Sequence, residues 1–266
     1  LDAAVRVGYS IFGVTEHAPR GEERFLYPSE LEKGYTVERL EAEFQAYSEA
    51  IDSLRRRFGG RMTLLKGFEA EVVPHDRYVE RMGDYRDRFG FEYMVGSVHH
   101  IGDVQIDGSA ELFSKAVQLA GGLEALAVRY YETVAEMIRC LRPEVVAHFD
   151  LVRRNAPPGA ALDSPAIRKA ARSALEIARD CDSILDLNTA GYRKGLGGPY
   201  PDSWIVRMAS EMGLGFCFGD DSHSVSDVGA GLEEARDYLL QHGVDRIRVL
   251  NRVAGGLRKE WRPLLS

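Results

Sequence analysis

Apolar residues follow two spacings that alternate along the chain. The first is the short uninterrupted run of a buried strand, found at residues 10–15, 62–68, 93–98, 145–147, 184–187, 214–218 and 246–250. The second is the three-and-four spacing of an amphipathic helix. Val37, Leu40, Phe44, Tyr47, Ile51 and Leu54 form one such stripe, opened by Thr36 and closed by Gly59 and Gly60. Leu123, Leu126, Tyr130, Val134, Met137 and Leu141 form another, stopped by Pro143. Ser164 followed by Pro165 marks an N-cap with proline in the first turn, opening a helix that runs to about residue 182. Further helices are predicted at 76–87, 202–212 and 231–241. Residues 20–35, 155–160 and 191–199 read as loops, and 101–121 as a loop with some helical character.

Strand and helix alternate throughout, without a linker, a repeat or a low-complexity segment. That order implies a parallel α/β sheet, and the length favours one closed or nearly closed barrel over residues 1–266. A doubly wound open sheet is the alternative. The chain starts at Leu1-Asp2-Ala3-Ala4, already helical, where a barrel would start on a strand, so an upstream segment is expected.

Composition narrows the class. The 266 residues are 45% hydrophobic and 28% charged, ordinary for a globular protein. A net charge of -7 argues against a partner such as long nucleic acid, which is held by bulk positive charge. It leaves room for a small anionic substrate met by local cations. Cys140, Cys181 and Cys217 are widely spaced, form no Cys-x-x-Cys pair and fit a reducing, cytoplasmic setting. No apolar run reaches membrane-span length.

The polar residues that end the strands change the picture most. His17, Glu69, His99, His148, Asp221 and His223 each stand at the C-terminal end of a predicted parallel strand, the rim where barrel active sites lie. A polar turn with Asp221 or Ser222 as a helix N-cap would account for the last of these by itself. The recurrence along the chain is what points to a polynuclear metal site. Imidazole and carboxylate without cysteine suit zinc, iron or manganese.

The motifs Thr15-Glu16-His17, Gly67-Phe68-Glu69-Ala70-Glu71, Gly96-Ser97-Val98-His99, Ala147-His148-Phe149-Asp150-Leu151, Asn188-Thr189-Ala190-Gly191 and Asp220-Asp221-Ser222-His223 resemble those of the polymerase-and-histidinol-phosphatase (PHP) family. The Gly-Ser-Val-His, His-x-Asp-Leu and Asn-Thr-Ala-Gly stretches look most like its histidinol-phosphate phosphatases. The resemblance implies a distorted (β/α)7 barrel with two or three divalent ions at its mouth. By it, Glu69 would bridge two ions and Asp221 would bind the first. His99 and His148 would complete the second, and His17 and His223 would hold the third. Glu71 is expected behind these ligands, His100 to point elsewhere, and His75 and His242 to be ordinary. The family opens on a strand ending in His-x-His, and no histidine precedes His17 here. A truncated start and a member that has lost part of its site are both consistent with that departure.

The implied reaction is hydrolysis of a phosphomonoester, L-histidinol phosphate, by water activated between metal ions. Asp220, Asp221 and His223 are the expected catalytic group, with Asp220 a candidate to protonate the leaving alkoxide. Arg153, Arg154 and Arg193 follow strand ends and are candidates for the phosphate, because guanidinium pairs with phosphate in two-point fashion. Glu16 or Asp220 would receive the substrate amine. Competing readings keep the fold but act on a nucleotide or oligonucleotide end, hydrolyse an amide, or bind without turnover.

Overall fold

The computed structural model describes residues 1–265. Its strands, in chain order, are β1 (Ile11–His17), β2 (Thr63–Ala70), β3 (Tyr93–Gly96), β4 (His100–Ile101), β5 (Val104–Gln105), β6 (Val145–Val146), β7 (Ile184–Asn188), β8 (Phe216–Gly219), β9 (Arg246–Val253) and β10 (Gly256–Pro263). Six of them form one curled parallel sheet in the order β1-β2-β3-β6-β7-β8. Each neighbour in that sheet is also the next of the six along the chain, as strand–helix alternation requires. Among the described residues the sheet stays open, with β1 and β8 as its edges, so it is a half-barrel and not a closed one.

The helices are α1 (Asp2–Val7), α2 (Pro28–Glu32), α3 (Val37–Phe58), α4 (Tyr78–Phe89), α5 (Ala110–Ala120), α6 (Leu123–Leu141), α7 (Pro165–Asp180), α8 (Ala190–Arg193), α9 (Ser203–Glu211) and α10 (Leu232–Gln241). Thr36 caps α3 by accepting the Arg39 N–H, and the buried face of α3 carries Phe44, Ile51 and Phe58, the stripe its spacing predicts. Ser164 caps α7 ahead of Pro165 in the same way. The outer face of the sheet packs on these helices through Leu64, Phe68, Val146, Leu185, Leu187 and Phe216.

The inner face follows the strand period of two. Ile11, Leu65, Tyr93, Val145, Ile184 and Cys217 meet inside the curl and form its lower layer. The Tyr93 ring fills the middle and needs glycine beside it. A Cβ at Gly67 would lie 2.3 Å from Tyr93 Cε1, and one at Gly13 2.1 Å from its hydroxyl. Beyond Gly13 and Gly67, the same face presents Thr15 and then His17 on β1 and Glu69 on β2, at the rim.

Two expectations need correction. Residues 246–250 do not add a parallel strand. They belong to β9, which pairs antiparallel with β10 across a two-residue turn, and Gly255 adopts φ +93° there. A parallel partner needs a long crossover, whereas this turn returns the chain at once. Leu250 and Leu257 of the hairpin then plug the lower layer of the half-barrel. Residues 101–121 hold the β4–β5 hairpin and the full helix α5, capped by Ser109 and closed at Gly121, φ +87°. Gly102, Gly108, Gly121 and Gly122 punctuate this stretch and hide its elements from a periodicity reading.

Candidate metal centre and active site

Parallel strands place successive inward residues at equal height. His17 pairs in register with Glu69, and β3 runs out of the sheet into His99. Glu69 is the hub. Its Oε1 lies 3.3 Å from His148 Nε2 and 3.5 Å from His99 Nε2, and its Oε2 lies 3.7 Å from His17 Nδ1. Glu71, two residues on and on the same face, is fully buried. It faces His17 Nδ1 and His99 Nδ1, each at 3.2 Å, and accepts the Tyr27 hydroxyl at 3.0 Å. The four residues before it in the sequence give no hint that this second glutamate is enclosed so completely. The signal was the period of two.

Burial alone would pull the His17 and His99 imidazoles down. Glu69 and Glu71 beside His17, and Glu71, Asp107 and Glu69 around His99, outweigh it and raise His17 to about 9 and His99 to about 10. Burial likewise opposes ionisation of Glu69 and Glu71, yet the surrounding imidazoles hold both below the ordinary carboxylate range. His100 points behind the site, stacked on Tyr27, and burial drops it to about 4.

The donor set fits divalent cations. Two groups, His17 with Glu71 and His99, and Glu69 with His99 and His148, each offer ligand atoms within 4.8 Å of one another. Glu69 Oε1 and His148 Nδ1 are buried without a hydrogen-bond partner. An acceptor facing two ring nitrogens without hydrogen-bond geometry is what a cation site looks like when its donors are aimed at a common point. His148 and Asp221 hold backbone φ of +22° and +46°, conformations that non-glycine residues seldom adopt and that cluster at functional sites.

His17, His99, His148, Asp221 and His223 line one cavity of about 440 Å³. His223 is exposed at its mouth, with its Nδ1 2.9 Å from the Asp221 carbonyl. Arg154 and Lys194 line the same cavity, and Lys194 was not anticipated. The other two arginines are engaged elsewhere. Arg153 donates to Asp150 at 3.0 Å and lies 3.6 Å from Asp202. Arg193 donates to the Asp220 carbonyl and, at 3.1 Å, to that of Asp221, so it clamps the loop instead of facing the cavity. Asp220 Oδ2 accepts the Gly229 N–H at 2.8 Å, and Glu16 is exposed with its carboxylate on the His17 N–H. Neither acid belongs to the cavity wall. Tyr27, Gln105, Asp107 and Tyr200 do, and sequence spacing does not single them out.

The comparisons with known proteins agree with this geometry. The model of the PHP domain matches residues 1–190. The "Probable histidinol-phosphatase" of Schizosaccharomyces pombe is 30% identical over 260 residues, covering 96% of this chain and 84% of that protein. The crystal structure of a Listeria monocytogenes protein described as a "putative histidinol phosphatase" superposes with a TM-score of 0.77. The two are 26% identical over 87% of this chain and 90% of the other. The fold is also that of the Lactococcus lactis histidinol phosphate phosphatase solved with zinc, L-histidinol and phosphate. There the TM-score is 0.69 at 18% identity, over 93% and 88% of the two chains. Strand-end motifs, sheet order and alignment lead to one assignment, and the chain belongs to the PHP family.

Proposed function

We propose that this chain is a metal-dependent phosphomonoesterase that hydrolyses L-histidinol phosphate to histidinol and inorganic phosphate. The observation that carries the reading is the convergence of Glu69, His99 and His148 on a common point at the mouth of a half-barrel, beside a cavity lined by Arg154 and Lys194. The names of the relatives supply the substrate, and the zinc complex of the Lactococcus protein supports divalent metal use. We take the chain as one domain, because β8, beyond the family match, pairs with β7 in the same sheet. No helix among the described residues is long and apolar enough to cross a membrane.

Glu69, His99, His148, His17, Asp221 and His223 would hold two or three divalent ions, zinc, iron or manganese. Glu71 would keep the rings of His17 and His99 oriented from behind. Bound cations would supply Lewis-acid polarisation of the phosphoryl group and an acidified water. The chain's own part is positioning. Arg154 and Lys194 offer donors to the phosphate oxygens, and the cavity walls keep the ester against the cluster. Asp221, on its strained backbone, faces the same space, whereas Asp220 serves the loop.

The test is phosphate release from L-histidinol phosphate by protein loaded with zinc or manganese, before and after chelation. Release should require the metal. Glu69→Gln should lower bound metal and turnover together by about two orders of magnitude or more, because one carboxylate serves several ligand positions. Turnover that survives full chelation, or a Glu69→Gln variant with undiminished metal and rate, would overturn the reading.

A further inference from the structure

We infer that Arg20 is a positioning residue for the metal centre: it holds the Glu71 carboxylate in place and so fixes the rings of His17 and His99. The inference rests on the metal-dependent reading above and adds to it a residue, outside the cavity wall, that sets metal affinity.

Glu71 is fully buried, so its charge has to be met by the protein. The Nδ1 atoms of His17 and His99, each at 3.2 Å, and the Tyr27 hydroxyl at 3.0 Å meet it directly. Because Glu71 takes Nδ1 of each ring, Nε2 is the atom left for a cation. Arg20 Nη1 lies 3.7 Å from Glu71 Oε1. A coordinated imidazole is the neutral ring and a phenol is neutral, so in a loaded centre the guanidinium is the fixed positive charge of this set.

The chain delivers Arg20 there by a short path. The Ala18 N–H donates to the Glu69 carbonyl at 2.8 Å, which carries the β1–β2 pairing one residue past His17. Arg20 follows two residues later and is 1% exposed. The two ends of its guanidinium have different partners: Nη2 donates to the Glu30 carboxylate, and Nη1 faces Glu71. The guanidinium also lies 3.8 Å from the centre of the Tyr27 ring. Glu30 accepts the Tyr27 N–H at 2.6 Å, and Tyr27 stacks on His100 with 14° between the rings. Arg20, Tyr27 and Glu30 thus form one block packed over Glu71.

Packing does not account for an arginine at this place. Its Nε is buried without a partner. A buried guanidinium with an unpaired N–H costs stability that an aliphatic side chain of similar length would not. What the arginine adds is charge beside a buried carboxylate that two metal ligands lean on.

The experiment measures zinc affinity of the metal-free protein by competition with a chromogenic chelator. Wild type is set beside Arg20→Met, Arg20→Lys, Glu71→Gln and the double variant Arg20→Met with Glu71→Gln, and melting curves check that each folds. Arg20→Met should raise the Kd for zinc by about 10- to 100-fold, the range for losing a group that supports a ligand from behind. Arg20→Lys keeps the charge and should recover part of that loss. In the Glu71→Gln background, Arg20→Met should change the Kd by no more than about 2-fold, because the carboxylate it acts through is gone. Should Arg20→Met not fold, Arg20→Lys makes the same comparison, weakening zinc binding where Glu71 is present and leaving it unchanged in the Glu71→Gln background. A folded Arg20→Met protein with the zinc affinity of wild type would overturn the inference. So would equal losses in the two backgrounds, which would assign Arg20 to the loop and not to Glu71. A wild type that binds no zinc would instead remove the metal-dependent reading, and this inference with it.

Discussion

Two arginines that look equivalent in sequence have different work in the folded chain. Arg154 lines the cavity, whereas Arg193 donates to the carbonyls of Asp220 and Asp221 and lies 3.6 Å from Asp227, which in turn accepts the His223 N–H. Arg154→Ala should therefore lower kcat/KM by about 10- to 100-fold with little change in Tm, the order of a charge-assisted contact to phosphate. Arg193→Ala should lower stability by about 1–2 kcal/mol, since it frees a loop held through two backbone carbonyls. Its effect on activity should pass through Asp221 and His223, and so through bound metal. Melting curves and kinetics on both variants decide this. An Arg193→Ala protein with full stability, full metal and poor kcat/KM would return that arginine to the substrate phosphate.

Among elements, the β9–β10 hairpin shows how a late segment is tied to the sheet. Arg252 of β9 reaches Glu92, just ahead of β3, at 2.7 and 2.8 Å, and Arg55 of α3 meets the same carboxylate. Glu92 also accepts the Lys66 N–H of β2 at 2.9 Å. Partial burial works against its charge, but Arg252, the Lys66 N–H and Arg55 outweigh that and hold Glu92 below its ordinary value of 4.5. A carboxyl depressed by folding contributes stability above its unfolded pKa and loses it as the pH falls through the folded one. Glu92→Gln should thus cost about 1–3 kcal/mol at neutral pH. The gap from wild type should begin to shrink once the pH drops below 4.5, where the unfolded chain takes up the proton first, and should close as the folded carboxyl is protonated in turn. Denaturant titrations at several pH values check the sign. A gap that stays constant into acid would mean that the carboxylate charge contributes nothing to hairpin docking.

At the scale of the whole molecule, the half-barrel has two ends with separate tasks. The rim gathers donors, and the opposite end is closed by Leu250 and Leu257 against Leu65, Tyr93, Val145 and Ile184. Leu250 is only 8% exposed, so Leu250→Ala should cost about 2–4 kcal/mol through lost burial and the cavity left behind. Bound metal and KM should stay near wild type, because Tyr93 and the Gly13 and Gly67 positions beside it separate the plug from the rim. Thermal melts with metal analysis test both halves of that statement. A variant that keeps its Tm would show that the hairpin does not close the core, and one that loses metal would show that the two ends are coupled.

The sequence by itself determined what depends on local spacing. Strand runs, helical stripes and caps follow from periods of two and 3.6 and from a few terminal residues, and the six parallel strands fall where those periods place them. Because inward side chains alternate, the same period put His17 and Glu69 at the rim and turned Glu71 toward them, although nothing local showed how deeply Glu71 would be enclosed. What needed the tertiary structure was every property set by a distant partner. Arg193 faces carbonyls 27 and 28 positions away, and Glu92 binds an arginine 160 positions away. The same holds for residues 246–250, whose apolar pattern serves a hairpin as well as a barrel strand until a turn and a waiting lower layer choose between them. A side chain's type and period are encoded along the chain. Its partner is decided by loop paths that bring non-neighbours together, and those paths carry no period to read.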